Sequence, residues 1–172
     1  MRPMRRRRQE LSPEACRGIL ERGRECVLAL AGSDATDGFP YAVPVNYSFA
    51  SPTEAEGEAG VVGHLLLHGA PKGAKLDAIA ADARVSACVI ERGDVVPEQL
   101  TTYFQSVIAF GRARLVDGDD ARRAALLALC AKYAPDLGAE TVDAEIARFF
   151  ARTAIVDVTV ERASGKQSIE LV

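Results

Sequence analysis

The chain has 172 residues, a length that suits one domain with a well-buried core. Apolar residues make up 48% of it and charged residues 26%, which is typical of a folded globular protein and argues against disorder. The formal net charge of -3 argues against a general nucleic-acid binder, because such proteins depend on a basic surface. We therefore expect one domain, residues 1–172.

The first ten residues form a basic N-terminal arm with four consecutive arginines, Arg5–Arg8. A contact with nucleic acid or membrane is one interpretation, and a solvated arm that folds over a neighbour is the other. We favour the second, because no aromatic residues or wider basic patch accompany the run.

Several features predict a reduced, cytoplasmic protein. No apolar region follows the arginines as in a signal peptide, and no apolar stretch approaches membrane-spanning length. The cysteines are scattered without a C-x-x-C pair, which predicts reduced core or helix residues and no metal site: Cys16, Cys26, Cys88 and Cys130.

The first half of the chain reads as a helix followed by strands. Ser12 and Pro13 begin a helix that Gly23 ends. Strands are predicted at 25–31, 41–49 and 61–68, with Pro44 marking an edge, a bulge or a ligand contact in the second. Between the last two, residues 51–60 predict an acidic, mobile loop.

The second half alternates helices and strands. Helical patterns cover 74–83, 119–133 and 143–152, and strands are predicted at 84–91, 101–116 and 154–161. Gly111, in the middle of a long strand, predicts a bulge or bend of the kind that curls a sheet. Six strands with peripheral helices predict a mainly β, α+β antiparallel barrel.

The stretch V-V-G-H-L-L-L-H-G-A-P-K-G-A-K, residues 61–75, predicts a strand that ends in a Gly-rich basic turn and opens a helix. Glycine lets backbone N–H groups approach an anion, the helix N-terminus adds partial positive charge, and lysine adds formal charge. We interpret it as a phosphate site, although such a turn alone is more often only a turn.

Further motifs accompany this turn: M-R-R-R-R, P-Y-A-V-P-V-N-Y, R-V-S-A-C-V-I, T-T-Y-F-Q-S-V-I-A-F-G-R-A and S-G-K-Q-S-I-E-L-V. In this order the chain resembles the pyridoxamine 5′-phosphate oxidase-related, FMN-binding split-barrel superfamily, and within it the nitroimidazole-resistance (Nim) branch. The resemblance implies a six-stranded antiparallel Greek-key split β-barrel. It also implies a homodimer with FMN in each of two interface clefts.

The resemblance implies a set of FMN-binding residues. The ring and ribityl chain would lie along the second predicted strand, mostly through backbone groups, and the phosphate would lie at the basic turn with Lys75. Ser106 would meet the ring edge, and an aromatic residue of the late helix would close the cleft. The implied residues are Val43, Pro44, Val45, Asn46, Tyr47, His68, Gly69, Ala70, Gly73, Lys75, Ser106, Phe149 and Phe150.

Departures from the family pattern argue against vitamin B6 oxidation. Tyr41 and Ala74 stand where true pyridoxamine phosphate oxidases carry arginines, and their C-terminal arginine motif is missing. The resemblance therefore implies an FMN-dependent oxidoreductase of another kind, with NADH or NADPH as a donor and a nitroaromatic compound, a quinone or oxygen as acceptor.

His68 is the candidate catalytic residue, either beside the flavin or only bonded to backbone. His64 is expected to be structural, and Lys166 is expected in a solvated turn. Two alternatives stay open: a non-catalytic flavin or haem carrier with His64 or His68 as axial ligand, and a deazaflavin-dependent reductase.

Overall fold

The protein is described by a computed structural model covering residues 4–172. Its strands are β1 (Glu25–Leu30), β2 (Tyr41–Asn46), β3 (Ser48–Ala50), β4 (Gly63–Gly69), β5 (Arg84–Val96), β6 (Thr101–Leu115) and β7 (Ala154–Gln167). Its helices are α1 (Pro13–Arg22), α2 (Glu54–Glu58), α3 (Ala74–Ala81), α4 (Asp119–Tyr133) and α5 (Ala139–Phe149). None of the helices in this part of the chain is long and apolar enough to cross a bilayer.

The strands form one antiparallel sheet in the order β2-β1-β5-β6-β7-β4-β3. The two outermost strands, β2 and β3, are consecutive in the chain and separated by one residue, Tyr47. A chain cannot join the two edges of a flat seven-stranded sheet with one residue, so the sheet must curl. The predicted mainly β class with peripheral helices is confirmed.

The predicted number of six strands is wrong, because the predicted strand 41–49 is divided at Tyr47. The Tyr47 side chain is fully buried, and its hydroxyl donates a hydrogen bond of 2.7 Å to the Leu20 carbonyl. Its N–H donates to the Tyr133 hydroxyl at 2.9 Å. Both partners lie on helices, so the sequence of the strand carries no signal of the break.

Three further predictions differ from the structure. Residues 51–60 contain α2, which begins with a capping box between Thr53 and Glu56. Strand β5 extends to Val96 rather than 91, because a bulge between Ile90 and Arg92 lets pairing with β6 continue. Lys166 lies within β7 and pairs with β6 rather than occupying a turn.

Other local predictions are confirmed. Ser12 caps α1 by accepting a hydrogen bond of 3.1 Å from the Ala15 N–H, and Gly23 ends that helix. The pairing of β6 with β7 shifts register between Phe110 and Gly111, which is the predicted bulge. Such a bulge bends and twists a strand, and therefore helps the sheet to curl.

The core lies on the inner face of the curled sheet and is closed by α1 and α3. Its largest fully buried side chains are Tyr47, Leu20, Leu28, Leu65, Leu67, Ile155, Val89, Val107, Val158 and Val160. Helix α4 lies against β3, β4 and β7, and α5 packs against α4. This helical pair stands beside the end of β4, where the basic turn begins.

Candidate functional site

The basic turn connects the end of β4 to the start of α3, as predicted. Strand β4 ends at Gly69, and α3 begins after Gly73, which has a φ of 137°. This left-handed conformation favours glycine. Since Gly73 has no side chain, no side chain from the capping position occupies the free N–H groups of the first turn of α3.

Lys75 folds back from α3 over the end of β4. A methyl group placed on Gly69 would lie 3.1 Å from the Lys75 Nζ, so the absence of a side chain at Gly69 leaves room for the ammonium. None of the ion pairs formed among residues 4–172 involves Lys75. Partial burial lowers the pKa of Lys75 from its ordinary value. A half-buried cation without a carboxylate, beside free N–H groups, is an electrostatic environment that favours an anion.

A trough lies between the end of β4 and the α4–α5 pair. It consists of a cleft of about 480 Å³ and a second of about 280 Å³ that share His68, Leu126 and Cys130. The first is also lined by Gly69, Ala70, Glu145, Ile146, Phe149, Arg152 and Thr153, and the second by Asn46, Leu129, Tyr133 and Ala134. The trough is therefore mainly apolar, with a few polar groups around His68. Sites of this size and character hold small organic molecules.

The trough brings together some of the residues that the sequence predicts, namely Asn46, His68, Gly69, Ala70 and Phe149. Gly69 borders both the trough and the Lys75 site. A ligand with a phosphate and a flat apolar part would therefore find groups for both near the end of one strand.

The residues predicted on β2 divide between two faces. Val43 and Val45 pack against the core, whereas Pro44 and Asn46 are exposed. Strand β2 pairs only with β1 within the described residues, so its other edge has free backbone groups, and proline is tolerated there. Tyr47 differs, because its N–H and carbonyl both contact the Tyr133 hydroxyl and its side chain is buried. It is placed to support the strand rather than to touch a ligand.

Ser106 lies on the outer face of β6, away from the trough. Its neighbours across the sheet are Ile90 on β5 and Lys166 on β7. The same face carries the exposed apolar side chains of Val27, Ile90 and Ile108. Within one chain the structure does not bring Ser106 together with His68 or Lys75.

Phe149 and Phe150 point to different sides of the last helix. Phe149 lines the trough and stacks on the Arg152 guanidinium, which lies 4.3 Å from the ring centroid. Phe150 faces away and stacks on Arg122 at 4.2 Å. Of the two aromatic candidates, only Phe149 is placed to touch a ligand beside His68 of the same chain.

Sequence reasoning missed the residues of α4 that form the far wall of the trough. Leu126, Cys130 and Tyr133 lie at helical spacing on one face of α4. That spacing is visible in the sequence, but it does not say which strand the helix packs against. Arg152 was also missed, because a single arginine at a helix end is usually only solvated.

His64, four residues before His68, is structural, as the sequence predicts. Its Nδ1 lies 2.9 Å from Asp157 Oδ1, and its Nε2 lies 3.4 Å from a Glu56 oxygen. Asp157 is buried and also accepts a hydrogen bond of 2.8 Å from Arg114. Both ring nitrogens of His64 are therefore engaged by the protein itself.

The curled antiparallel sheet with peripheral helices defines the class of protein, a mainly β fold of the split-barrel type. Residues 12–167 match the family described as pyridoxamine 5′-phosphate oxidase. The chain belongs to this family, and the family predicted from the sequence motifs is confirmed. A search of curated proteins finds no match.

Solved structures share the fold of this chain. A candidate 5-nitroimidazole antibiotic resistance protein from Bacteroides thetaiotaomicron has a TM-score of 0.66 at 18% identity, over 92% of this chain and 86% of its own. A FAD-binding protein from Mesorhizobium loti has a TM-score of 0.62 at 25% identity, over 93% and 97%. A FAD and haem binding protein from Mycobacterium smegmatis has a TM-score of 0.69 at 23% identity, over 94% and 74%.

Proposed function

We propose that the protein is a flavin-dependent oxidoreductase that binds FMN and acts on a small molecule. The observation that carries this proposal is Lys75, a half-buried lysine that has no carboxylate partner among residues 4–172 and is held over Gly69 at the start of α3. The family membership supports a flavin, and the names of two structural relatives include FAD. The family name does not assign vitamin B6 as the substrate, because Tyr41 and Ala74 replace the expected arginines.

Each group of residues has a distinct task in this proposal. The Lys75 ammonium and the N–H groups of the first turn of α3 hold the phosphate. The free edge of β2 would lie along the ring and ribityl chain, and Ser106, from across a dimer interface, would meet the ring edge. When bound, the flavin would supply the redox chemistry between a donor such as NADH or NADPH and an acceptor. His68 donates a hydrogen bond to the acceptor in the trough.

A second copy of the chain completes the site in this proposal. On the outer face of the sheet, Val27, Ile90 and Ile108 are 40%, 67% and 42% exposed, and the pairing of β1, β5 and β6 places them together around Cys88. Such an apolar face on a sheet favours a protein interface. Ser106 lies on the same face, next to Ile90, so a homodimer would enclose it.

The dimer is tested by light scattering of the Ile108→Glu variant. We expect the wild type to be a dimer and the variant a monomer, because a charge would be buried in an apolar contact. Leu137→Glu, an equally apolar-to-charged change at an exposed position between α4 and α5, should stay dimeric. A dimeric Ile108→Glu protein would exclude this face.

The flavin site is tested first by the absorbance spectrum of the purified protein and its titration with FMN. Lys75→Met should weaken FMN binding about 10- to 100-fold, since a charge-assisted contact contributes about 1.5–3 kcal/mol. It should leave riboflavin, which lacks the phosphate, unaffected. Lys72→Met is the matched control, because Lys72 is exposed three residues earlier in the same turn. Colourless protein that takes up no added FMN would contradict the proposal.

Two parallel measurements define the cofactor and the reaction. Titration with FAD and with a deazaflavin beside FMN tests the choice of flavin. Reduction of the bound flavin by NADH and by NADPH, followed by addition of a nitroaromatic compound, a quinone or oxygen, tests turnover. A flavin that is bound but never reduced would favour a carrier over an enzyme.

A haem carrier is the second candidate, and one observation favours it. His68 is exposed to a largely apolar trough, which is the environment that an axial histidine and a flat macrocycle require. Haem addition should then produce a Soret band that His68→Ala abolishes and His64→Ala preserves, because both nitrogens of His64 are engaged.

A further inference from the structure

The N-terminal arm forms a cleft of its own that the flavin proposal does not use. Arg5, Arg6, Arg7, Arg8, Gln9 and Ile169 line this arginine cleft, which has a volume of about 510 Å³. The sequence favours a solvated arm that folds over a neighbour. In the structure the four arginines are exposed, and they surround one concavity together with Ile169 near the C-terminal end of the chain.

The arm is held in place by the last strand. The Leu11 N–H donates a backbone hydrogen bond of 3.0 Å to the Gly165 carbonyl. The backbone of Glu10 pairs with that of Lys166 in an isolated antiparallel β-bridge. Gly165 permits this contact, because a methyl group there would lie 2.9 Å from the Leu11 Cβ and 2.5 Å from the Cys16 Sγ. A single 3₁₀ turn, Arg7–Gln9, then directs the arginines around the cleft. The base of the arm is thus anchored to β7.

Two independent observations favour a ligand in the arginine cleft: the first favours a negative charge, and the second favours a hydrogen-bond donor. None of the ion pairs among residues 4–172 includes any of the four arginines, so their charges have no carboxylate partner there. Gln9 is only 4% exposed, and its Oε1 has no hydrogen-bond partner within the described residues. Buried polar atoms without a partner are rare, because each costs free energy. A ligand hydroxyl or amine would satisfy it.

We propose that the arginine cleft binds a nucleoside diphosphate group. One guanidinium group can bind two phosphate oxygens at once. The charge of four guanidinium groups matches two linked phosphates better than one phosphate. The Gln9 amide and the exposed side chain of Ile169 provide a polar and an apolar contact for the nucleoside. The volume suits one small molecule, whereas a nucleic acid would need an extended basic surface that this acidic chain lacks.

The test is calorimetric titration of the full-length protein with ADP, AMP, adenosine and inorganic pyrophosphate. ADP should bind at least about tenfold more tightly than AMP or pyrophosphate, and adenosine should bind weakest. Arg6→Gln/Arg7→Gln should weaken ADP binding at least about tenfold. Arg123→Gln/Arg148→Gln, which removes two exposed charges from the α4–α5 pair, should leave it unchanged. Pyrophosphate or AMP that matches ADP, or arm variants that bind ADP normally, would overturn the proposal.

Two further variants test whether ADP binds in the arginine cleft or at the Lys75 site. Gln9→Leu should weaken ADP binding about tenfold without loss of folding, because it removes a polar atom that is unsatisfied in the free protein. A Gln9 that only fills space would leave ADP affinity unchanged, which would count against the site. Lys75→Met should not affect ADP binding, and a parallel loss there would assign the ADP to the flavin phosphate site instead. NADH and FAD carry the same ADP group, and their competition with ADP shows whether a dinucleotide is its source.

Discussion

The two histidines of β4 lie four residues apart, but they belong to two different kinds of environment. His64 is enclosed by Asp157 and Glu56, and both of its ring nitrogens are engaged. His68 is exposed at the strand end and faces an apolar trough. The His64 end of the strand is stabilised by internal polar contacts, whereas the side chain of His68 at the other end is exposed beside the trough. Residue type and spacing in the sequence do not distinguish the two histidines, whereas their contacts in the structure do.

The largest effect on stability should come from the buried contacts of Asp157 with His64 and Arg114. Asp157→Ala removes a buried carboxylate that accepts hydrogen bonds from His64 and Arg114, and we expect it to lower the free energy of unfolding by about 3 kcal/mol. Urea denaturation of the protein measures this change. Asp143→Ala is the control, because Asp143 pairs with Arg123 on the surface, where such pairs contribute about 0–1 kcal/mol. Equal effects of the two variants would mean that the network does not stabilise the fold.

The histidine pair itself provides the next comparison. His64→Ala should lower the free energy of unfolding by about 1–2 kcal/mol, since it leaves Asp157 with one donor fewer. His68→Ala should stay within about 0.5 kcal/mol of wild type, because an exposed side chain is removed. The same two proteins measured for FMN reduction and acceptor turnover should show the opposite ranking. A destabilised His68→Ala protein would show that the trough is part of the core.

The contrast between local and distant contacts explains how much of the fold could be predicted from the sequence. The capped helix α1, the bulge at Gly111 and the basic turn depend on neighbouring residues, so their signals are local in the sequence. The break at Tyr47 depends on a carbonyl of α1 and a hydroxyl of α4, which no local pattern contains. The candidate site likewise has one part with a local sequence signal and one part formed by residues far apart in the chain.

The chemistry of the Lys75 turn was visible in the sequence, because glycine, lysine and a helix start are consecutive there. The trough was not, because its second wall comes from α4 and α5, far along the chain. The different positions of the Phe149 and Phe150 rings were equally hidden. Both residues lie at the end of α5, and only packing decides which ring faces the trough.

FMN binding at the Lys75 site should depend on pH. Partial burial lowers the pKa of Lys75, so its positive charge is lost as the pH rises through that lowered value, before an exposed lysine would titrate. FMN affinity should therefore fall by about tenfold on the alkaline side. Fluorescence titration between about pH 7 and pH 10 measures it, within the range of lysine pKa values. Riboflavin, without a phosphate, and the Lys75→Met protein should both show a flat profile, and a flat FMN profile in the wild type would exclude Lys75 as the phosphate's cation.

The smallest effect should distinguish the two aromatic residues. Phe149→Leu keeps an apolar side chain but removes the ring that faces the trough, and we expect about threefold weaker binding of a flat acceptor, since aromatic contacts contribute about 0.5–1.5 kcal/mol. Phe150→Leu loses only its stacking on Arg122, so acceptor binding should not change. Steady-state kinetics with one aromatic acceptor measures the KM of both variants. If Phe150→Leu instead raises the KM, the acceptor reaches the other side of α5, and the open end of β4 is not where the reaction takes place.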